Sequence, residues 1–374
     1  MIRKSKLLII IAVIILGGCG EEYERPVLED LGIIGVLGFD YVEGDAEKVK
    51  VTATFPQHNK DAEERTQIYS ATVKLPHKAL LEITTKSEKV LTLAQLRVLI
   101  FSEEYAQKVG LWNVLYNLYR DPRVGTNVFI AVVKGSAEEF LSQEYKDKPN
   151  INVYLNEKLE PKEDSIFNPH STLHAFLMRA TDEVSDPSTP YLEYTDGTAN
   201  LSHVALFNKD KMVGVLGHEE GKMIETFKQR DSIPDMLVEF TEKDESGKEV
   251  EKEALLTFVD TFLTEEVSGT LENPKVHLHL YVRGTIEDYV GIVNLESLDA
   301  REDFESKFEE HFEKKIIKVV NTLQELQSDP GSFGEGFRIK YPHGWSKERW
   351  NEAFANAEIT ANAKVTIIST GATK

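Results

Sequence analysis

A few residues in this 374-residue sequence combine side-chain types and spacings that could carry chemistry. His277 and His279 alternate with apolar neighbours in "KVHLHLYVRGTI", which puts two imidazoles on one face of a strand. That spacing serves a metal only when a third ligand joins it. His170 and His174 stand four apart in "HSTLHAFLMRA", without the intervening Glu of a zinc-protease helix. The other histidines are scattered, so the expectation is no metal and no cofactor, with His277 and His279 on an exposed strand face. "GHEEGKM" at 217–223 offers a Gly-Lys pair, but a phosphate loop needs four residues between its glycines and Ser or Thr after the Lys; here there are three, and Met223. No Gly-x-Ser-x-Gly elbow occurs, and abundant carboxylates single out no acid–base pair, so no catalytic residue is assigned. Trp345 and Trp350, with Pro342, Gly344 and Phe354, form the most aromatic cluster. Five residues is not a same-face helical spacing, so Trp345 precedes the helix that carries Trp350. That cluster is either packed on a sheet or a partner-docking surface.

The remaining reactive residue is Cys19, the only cysteine of the chain, which excludes an intramolecular disulfide. It follows a cationic "MIRKSK" and an unbroken apolar run, "LLIIIAVIIL", at 7–16. Ten helical residues cover about 15 Å, roughly half of a bilayer's hydrocarbon core. This is a signal-peptide length rather than a membrane span. "LGGC" at 16–19 resembles the bacterial lipobox, with Leu at −3 and small residues at −2 and −1. The resemblance implies diacylglycerol on the Cys19 sulfur, N-acylation, and cleavage between Gly18 and Cys19. A thiolate suits that alkylation. Two acyl chains, at about 0.8 kcal/mol per buried methylene, give a stable anchor.

The composition is that of a folded protein: 41% hydrophobic and 28% charged, with no low-complexity tract. Net charge is −20, and the three cations ahead of the apolar run leave the processed chain more acidic still. Such a body is repelled by nucleic-acid phosphates and by anionic lipid headgroups, which disfavours a DNA- or RNA-binding role and a body lying flat on an anionic bilayer.

The pattern along the chain is mixed α/β, or α+β, in several domains with mixed sheets and flanking helices. Residues 1–18 read as a lipoprotein signal peptide and 19–30 as the lipidated N-terminus and spacer. Residues 31–198 form an N-terminal mixed α/β region with a break near 142–170, and 199–374 a C-terminal α/β domain. In the first region "LGIIGVLGFDYV" is a buried strand. "KVKVTATF" alternates, with Lys50, Thr52 and Thr54 expected on the exposed face. Ser102 before Glu103 and Glu104, and Ser136 before Glu139, are helix starts. Gly110 and Pro122 are helix stops. In the second region "LSHVALFNKDKMVGVLG" is a hairpin. A long helix at 302–328 carries one apolar stripe, Phe304, Phe308, Phe312, Ile316, Val319, Leu323 and Leu326, ended by "DPG". "AKVTIIST" closes the chain as a strand.

These blocks resemble a known family. The lipobox, "LGIIGVLGFD" and "LRVLIFSEEYAQKVGLWNVLYNLYRDPRVGTNVFIAVVKGSAEEFL" are similar to the N-terminal half of the Ger(x)C lipoproteins, the C subunits of spore nutrient receptors. "LSHVALFNKDKMVGVLGHEE" and "GFRIKYPHGWSKERWNEAFANAEITANAKVTIISTG" resemble that family's C-terminal half. Three departures stand out: Gly20-Glu21 replaces a common Trp-Asp, His203 replaces a hairpin Gly, and the tail tryptophans lie closer together. The resemblance implies a non-catalytic lipoprotein on the outer face of the spore inner membrane, partnered by membrane A and B subunits. It also implies a fold of about three mixed α/β domains. The competing expectation is a solute-binding lipoprotein of a transporter, which requires two doubly wound lobes around a hinge cleft.

Overall fold

A computed structural model of the chain describes residues 30–57, 65–160, 171–228, 235–243, 246–289 and 298–369, with Val27 and Pro169. Gly18, Cys19 and His170 lie outside the described residues. The first region runs β1 (Leu31–Ile33), β2 (Val36–Tyr41), β3 (Val49–Pro56), β4 (Thr66–Val73), α1 (Pro76–Thr84), β5 (Val90–Thr92) and β6 (Val98–Ser102). It continues through α2 (Glu103–Lys108), α3 (Trp112–Tyr119), β7 (Phe129–Val133), α4 (Ala137–Leu141), α5 (Ile151–Leu159) and α6 (Leu173–Thr181). It closes with β8 (Ser188–Thr195), β9 (Thr198–Asn208) and β10 (Lys211–Gly217). Eight strands make one mixed sheet in the order β10-β9-β8-β7-β6-β2-β3-β4. Its four central strands are parallel and an antiparallel pair extends it on each flank. β1 pairs separately with β5.

Alternation along the central strands sorts their side chains between two helical layers. Leu37, Phe39, Leu99, Phe101, Ile130 and Val132 meet α1, α2, α3 and α6. Val36, Val98, Ile100, Ala131 and Val133 meet α4 and α5. Because both faces are covered, even the polar side of β3 is inside: Thr52 and Thr54 are wholly buried, contrary to the exposed face expected from their alternation. Thr54 donates to Asn152 Oδ1 on α5 at 2.5 Å, and Lys50 pairs with Glu138 on α4. Only α4 and α5, remote in sequence, decide that those threonines are dry.

The helix starts are capped. Ser102 Oγ accepts from the Tyr105 N–H and Ser136 Oγ from that of Glu139, both at 3.3 Å. Asp40, at the end of β2, adds two bonds from the Ala137 and Glu138 N–H groups at 2.6 and 2.9 Å. Gly110 stops α2 at φ +89°, and a Cβ there would stand 2.3 Å from the Asp210 carboxylate, which accepts the Trp112 N–H and starts α3.

The second region contains α7 (His218–Phe227), β11 (Met236–Lys243), β12 (Glu249–Gly269), β13 (Pro274–Tyr289), α8 (Leu298–Glu325), α9 (Glu335–Lys340), α10 (Lys347–Phe354) and β14 (Glu358–Ser369). Its sheet order is β11-β12-β13-β14, with β14 parallel to β13 and the rest antiparallel. The stripe on α8 covers the inner face: Phe304, Phe308, Phe312, Ile316, Val319 and Leu323 are at most 1% exposed. The helix ends earlier than 328. Gln327 takes a left-handed φ of +50° and the Ser328 N–H returns to the Leu323 carbonyl at 3.0 Å, a Schellman stop ahead of the Asp-Pro-Gly.

Two arrangements join this architecture together. The β9–β10 hairpin, which the sequence assigns to the second region, hydrogen-bonds into the first sheet through β8. Its side chains divide: Ala205, Phe207 and Met212 enter the first region's core, while Val204, Leu206 and Leu216 enter the second's. A boundary at 198/199 therefore separates β9 from its sheet partner β8 and assigns to the second region a hairpin whose two faces enter different cores. At the far edge, α8 lays Glu313, Glu309 and Glu305 along β14, where they accept the Ala363, Val365 and Ile367 N–H groups at 3.1, 3.2 and 2.8 Å. The carboxylates occupy donors that would otherwise template another strand. Glu309→Ala, which also loses a 2.9 Å ion pair with Lys364, is expected to cost about 1–2 kcal/mol in urea unfolding and to promote self-association; an unchanged midpoint contradicts it.

Candidate functional site

The tripeptide Ser-Asp-Pro occurs at 185–187 and again at 328–330, and the fold brings the two copies face to face. The Asp186 N–H donates to the Asp329 carbonyl and the Asp329 N–H to Asp186 Oδ2, each at 2.9 Å. Asp186 also accepts the Lys209 N–H at 2.9 Å, and its Oδ1 lies 3.1 Å from Lys347 Nζ. Lys347 donates further to the Val184 and Ser185 carbonyls. Asp329 accepts from the Phe333 and Gly334 N–H groups at 3.0 and 3.2 Å and from Trp350 Nε1 at 2.9 Å. Asp186 and Asp329 are 0% and 1% exposed, so every one of these bonds replaces lost water. The following proline suits the site: it disfavours helix at the Asp and brings no N–H to satisfy.

Bonds continue outward from this pair along the seam between regions. Ser328 Oγ donates to the Phe207 carbonyl at 2.7 Å, Asn208 Nδ2 to that of Gln327 at 2.7 Å, and Arg179 to that of Pro330 at 3.1 Å. Sequence reasoning took the second tripeptide only as a helix stop and missed the first. The duplicated Ser-Asp-Pro was the available signal, though nothing in it says that the copies meet.

The tryptophans belong to the same seam. Trp350 is fully buried, stacked between Trp345 at 5.7 Å and Phe337 at 5.5 Å, with Phe354 at 5.6 Å. A buried ring presents no surface, so of the two alternatives Trp350 follows packing and not docking. Trp345 is half-buried and donates its indole N–H to the Glu183 carbonyl at 3.1 Å, tying α10's approach to the first region. Gly334 makes room for both rings, since a Cβ there would meet Trp350 at 2.6 Å and Trp345 at 2.8 Å.

The other sequence candidates are engaged elsewhere. His277 reaches Thr360 Oγ1 at 2.6 Å and Asn362 Oδ1 at 3.0 Å on β14, and His279 lies 3.6 Å from Glu266. His174 stacks on Tyr119. "GHEEGKM" opens α7 with acids and cations in contact. Lys222 and Lys315 stand 2.6 and 3.5 Å from Glu219, and Lys318 stands 2.7 Å from Glu220. Against the upward push of burial, His218, Lys222 and Lys315 hold Glu219 down at about 2. Among the described residues, no three His, Cys, Asp or Glu side chains converge as metal ligands, and no helix is long and apolar enough to cross a membrane.

A three-layer mixed sheet sharing a hairpin and a buried acid–lysine seam with a helix-capped second sheet defines a two-part protein of one family. The chain belongs to the Ger(x)C spore germination proteins: the family model of the spore germination protein N-terminal domain matches residues 24–194, and that of the spore germination B3/GerAC-like C-terminal region matches 202–371. It is similar to spore germination protein GerQC of Bacillus cereus, 24% identical over 371 residues that span 99% of this chain and 100% of that protein. It is also similar to spore germination protein KC of Bacillus subtilis (strain 168), 23% identical over 409 aligned residues, or 99% and 97% of the two chains. The fold resembles the crystal structure of the GerBC protein at TM-score 0.56 and 15% identity, over 89% of this chain and 97% of that one.

The seam carries a titration. Burial, with Asp329 and Glu335 nearby, pushes Glu265 on β12 up to about 7, and burial pushes Asp329 up to about 6 against the pull of Lys347. A carboxyl whose folded pKa exceeds its unfolded value binds its proton more tightly when folded. Its charge therefore destabilises the fold at high pH, and the penalty fades as pH falls through the folded pKa toward the unfolded one. His311, depressed by burial and Lys315, slopes the opposite way below its ordinary 6.5, so the test is a difference between variants. Glu265→Gln is expected to stabilise the protein at pH 8 by about 2 kcal/mol after allowance for solvent screening, with the gain shrinking steadily between pH 7 and 4.5. A pH-independent difference contradicts it.

Proposed function

We propose that the chain is the lipid-anchored C subunit of a spore germinant receptor, non-catalytic, held through Cys19 at the outer face of the spore inner membrane. The observation that carries the reading is full-length similarity to GerQC, over 99% of the chain, taken with the lipobox at 16–19. The partners on this reading are the receptor's membrane A and B subunits. A lipid tether confines the body to two dimensions and raises its effective concentration beside integral partners. The solute-binding alternative finds less support, because the second region is one four-stranded sheet, antiparallel but for β14, covered by one long helix and not a second doubly wound lobe.

Cys19→Ala is expected to leave the precursor uncleaved after Gly18 and without a lipid adduct by mass spectrometry, and to release the protein from the membrane fraction or strand it on its signal segment. In a spore former, deletion of the chain should slow nutrient-triggered germination and the Cys19→Ala chain should restore it poorly. A processed, lipid-modified alanine variant, or unchanged germination with every nutrient in a strain lacking paralogues, contradicts the proposal.

A further inference from the structure

In a chain of net charge −20, one face of the first region is basic and apolar. α1, α3 and α6 lie on the same side of the eight-stranded sheet, and outward turns of α1 and α3 expose Leu81 at 70%, Tyr116 at 42% and Tyr119 at 40%, while Met178 on α6 borders a separate hollow with Asp182, Glu183 and Glu335. Leu75, at the entrance to α1, is 67% exposed. Scattered exposed apolar residues are ordinary, but these sit on touching elements. His77 on α1 stands 3.3 Å from Asp121 at the end of α3, and the Tyr119 hydroxyl lies 3.4 Å from His174 on α6.

The charges on these helices are unlike those of the rest of the molecule. Segments 75–84, 112–123 and 173–181 contain Lys78, Arg120, Arg123 and Arg179 against two acids, Glu82 and Asp121. Arg123 is paired with Asp121 and Arg179 donates to the Pro330 carbonyl at the seam, which leaves Lys78 and Arg120 facing outward against Glu82. Asp121 is 7% exposed and already bound to Arg123 at 2.6 Å, so it offers little negative charge outward. Arg120 lies over the Tyr116 ring at 5.7 Å, and Tyr116 stacks on Trp112 at 5.3 Å. Adjacent Lys74 is paired with Glu47 and takes no part. Cations, tyrosines and leucines in one patch match a lipid interface, where rings sit at headgroup level and cations meet phosphates.

The path of the chain keeps this face within reach of Cys19. β1, the first described strand, pairs with β5, and β5 packs on α1. Eleven residues separate Cys19 from Leu31, an extended reach of about 40 Å. We infer that the α1–α3–α6 face docks on the anionic surface of the membrane that holds the chain, while the acidic remainder turns away from it. This rests on the lipid-anchor reading for its geometry, but the patch itself does not.

The test is hydrogen exchange on the full-length lipidated protein in vesicles of phosphatidylcholine alone or mixed with phosphatidylglycerol, with the mass of the Cys19 peptide read in the same sample. Segments 75–84 and 112–123 should exchange more slowly only with phosphatidylglycerol. High salt, or the Lys78→Glu/Arg120→Glu pair, should abolish that protection, at about five-fold per cation lost. Both residues are exposed, and Arg120→Lys should retain docking. Equal exchange in the two lipids, or protection that appears only when membrane subunits are added, overturns the proposal. Phosphatidylglycerol-dependent protection with an unmodified Cys19 upholds the patch and overturns the anchor.

Discussion

Two aspartates that face each other across a chain junction, Asp186 and Asp329, are the constraint on which the arrangement of this protein depends. Each accepts bonds that no water can replace, and each donates its own N–H to the other's segment. Two buried carboxylates would repel each other, and Lys347 is the cation that makes the pair tolerable: its ammonium contacts Asp186 and two carbonyls of the same loop. Removing a partner from such a network leaves an uncompensated buried charge, a loss of about 3–5 kcal/mol. The Trp345–Trp350–Phe337 stack then fills the space around these bonds with apolar surface.

The β9–β10 hairpin does by packing what the aspartates do by hydrogen bonding. Val204 and Leu206 point into one core and Ala205 and Phe207 into the other, so neither region buries its full apolar surface without the hairpin. Polar seam and bifacial hairpin together make the two regions one mechanical body. A displacement felt by the helices of one region therefore reaches the sheet of the other without a hinge to absorb it. Mechanical continuity of this kind requires no catalytic chemistry at the junction.

Much of this was legible in the sequence, where local chemistry is self-sufficient. The caps at Ser102 and Ser136, the Gly110 stop, the alternation of β13 and the phenylalanine stripe of α8 are set by neighbours within a few residues. What was not legible depends on distant partners. Thr52 and Thr54 look like a wet strand face until α4 and α5 cover them. Trp350 could be packed or docking by sequence alone, until Asp329, twenty-one residues earlier, receives its indole N–H. The hairpin at 198–217 shows alternation, but alternation cannot reveal that both of its faces are inside. The proposed lipidation is the opposite case: it is read wholly from the lipobox-like "LGGC", which lies outside the described residues.

The central claim is that the two regions fold and unfold as one unit through the Asp186–Asp329 seam. Denaturant unfolding followed by hydrogen exchange in both regions at once tests it most directly, with β6 and β7 reporting on the first and β13 and α8 on the second. A single shared midpoint in the native protein, splitting into two when Lys347→Met removes the seam's cation, is the predicted result. Two separate midpoints in the native protein would contradict the account.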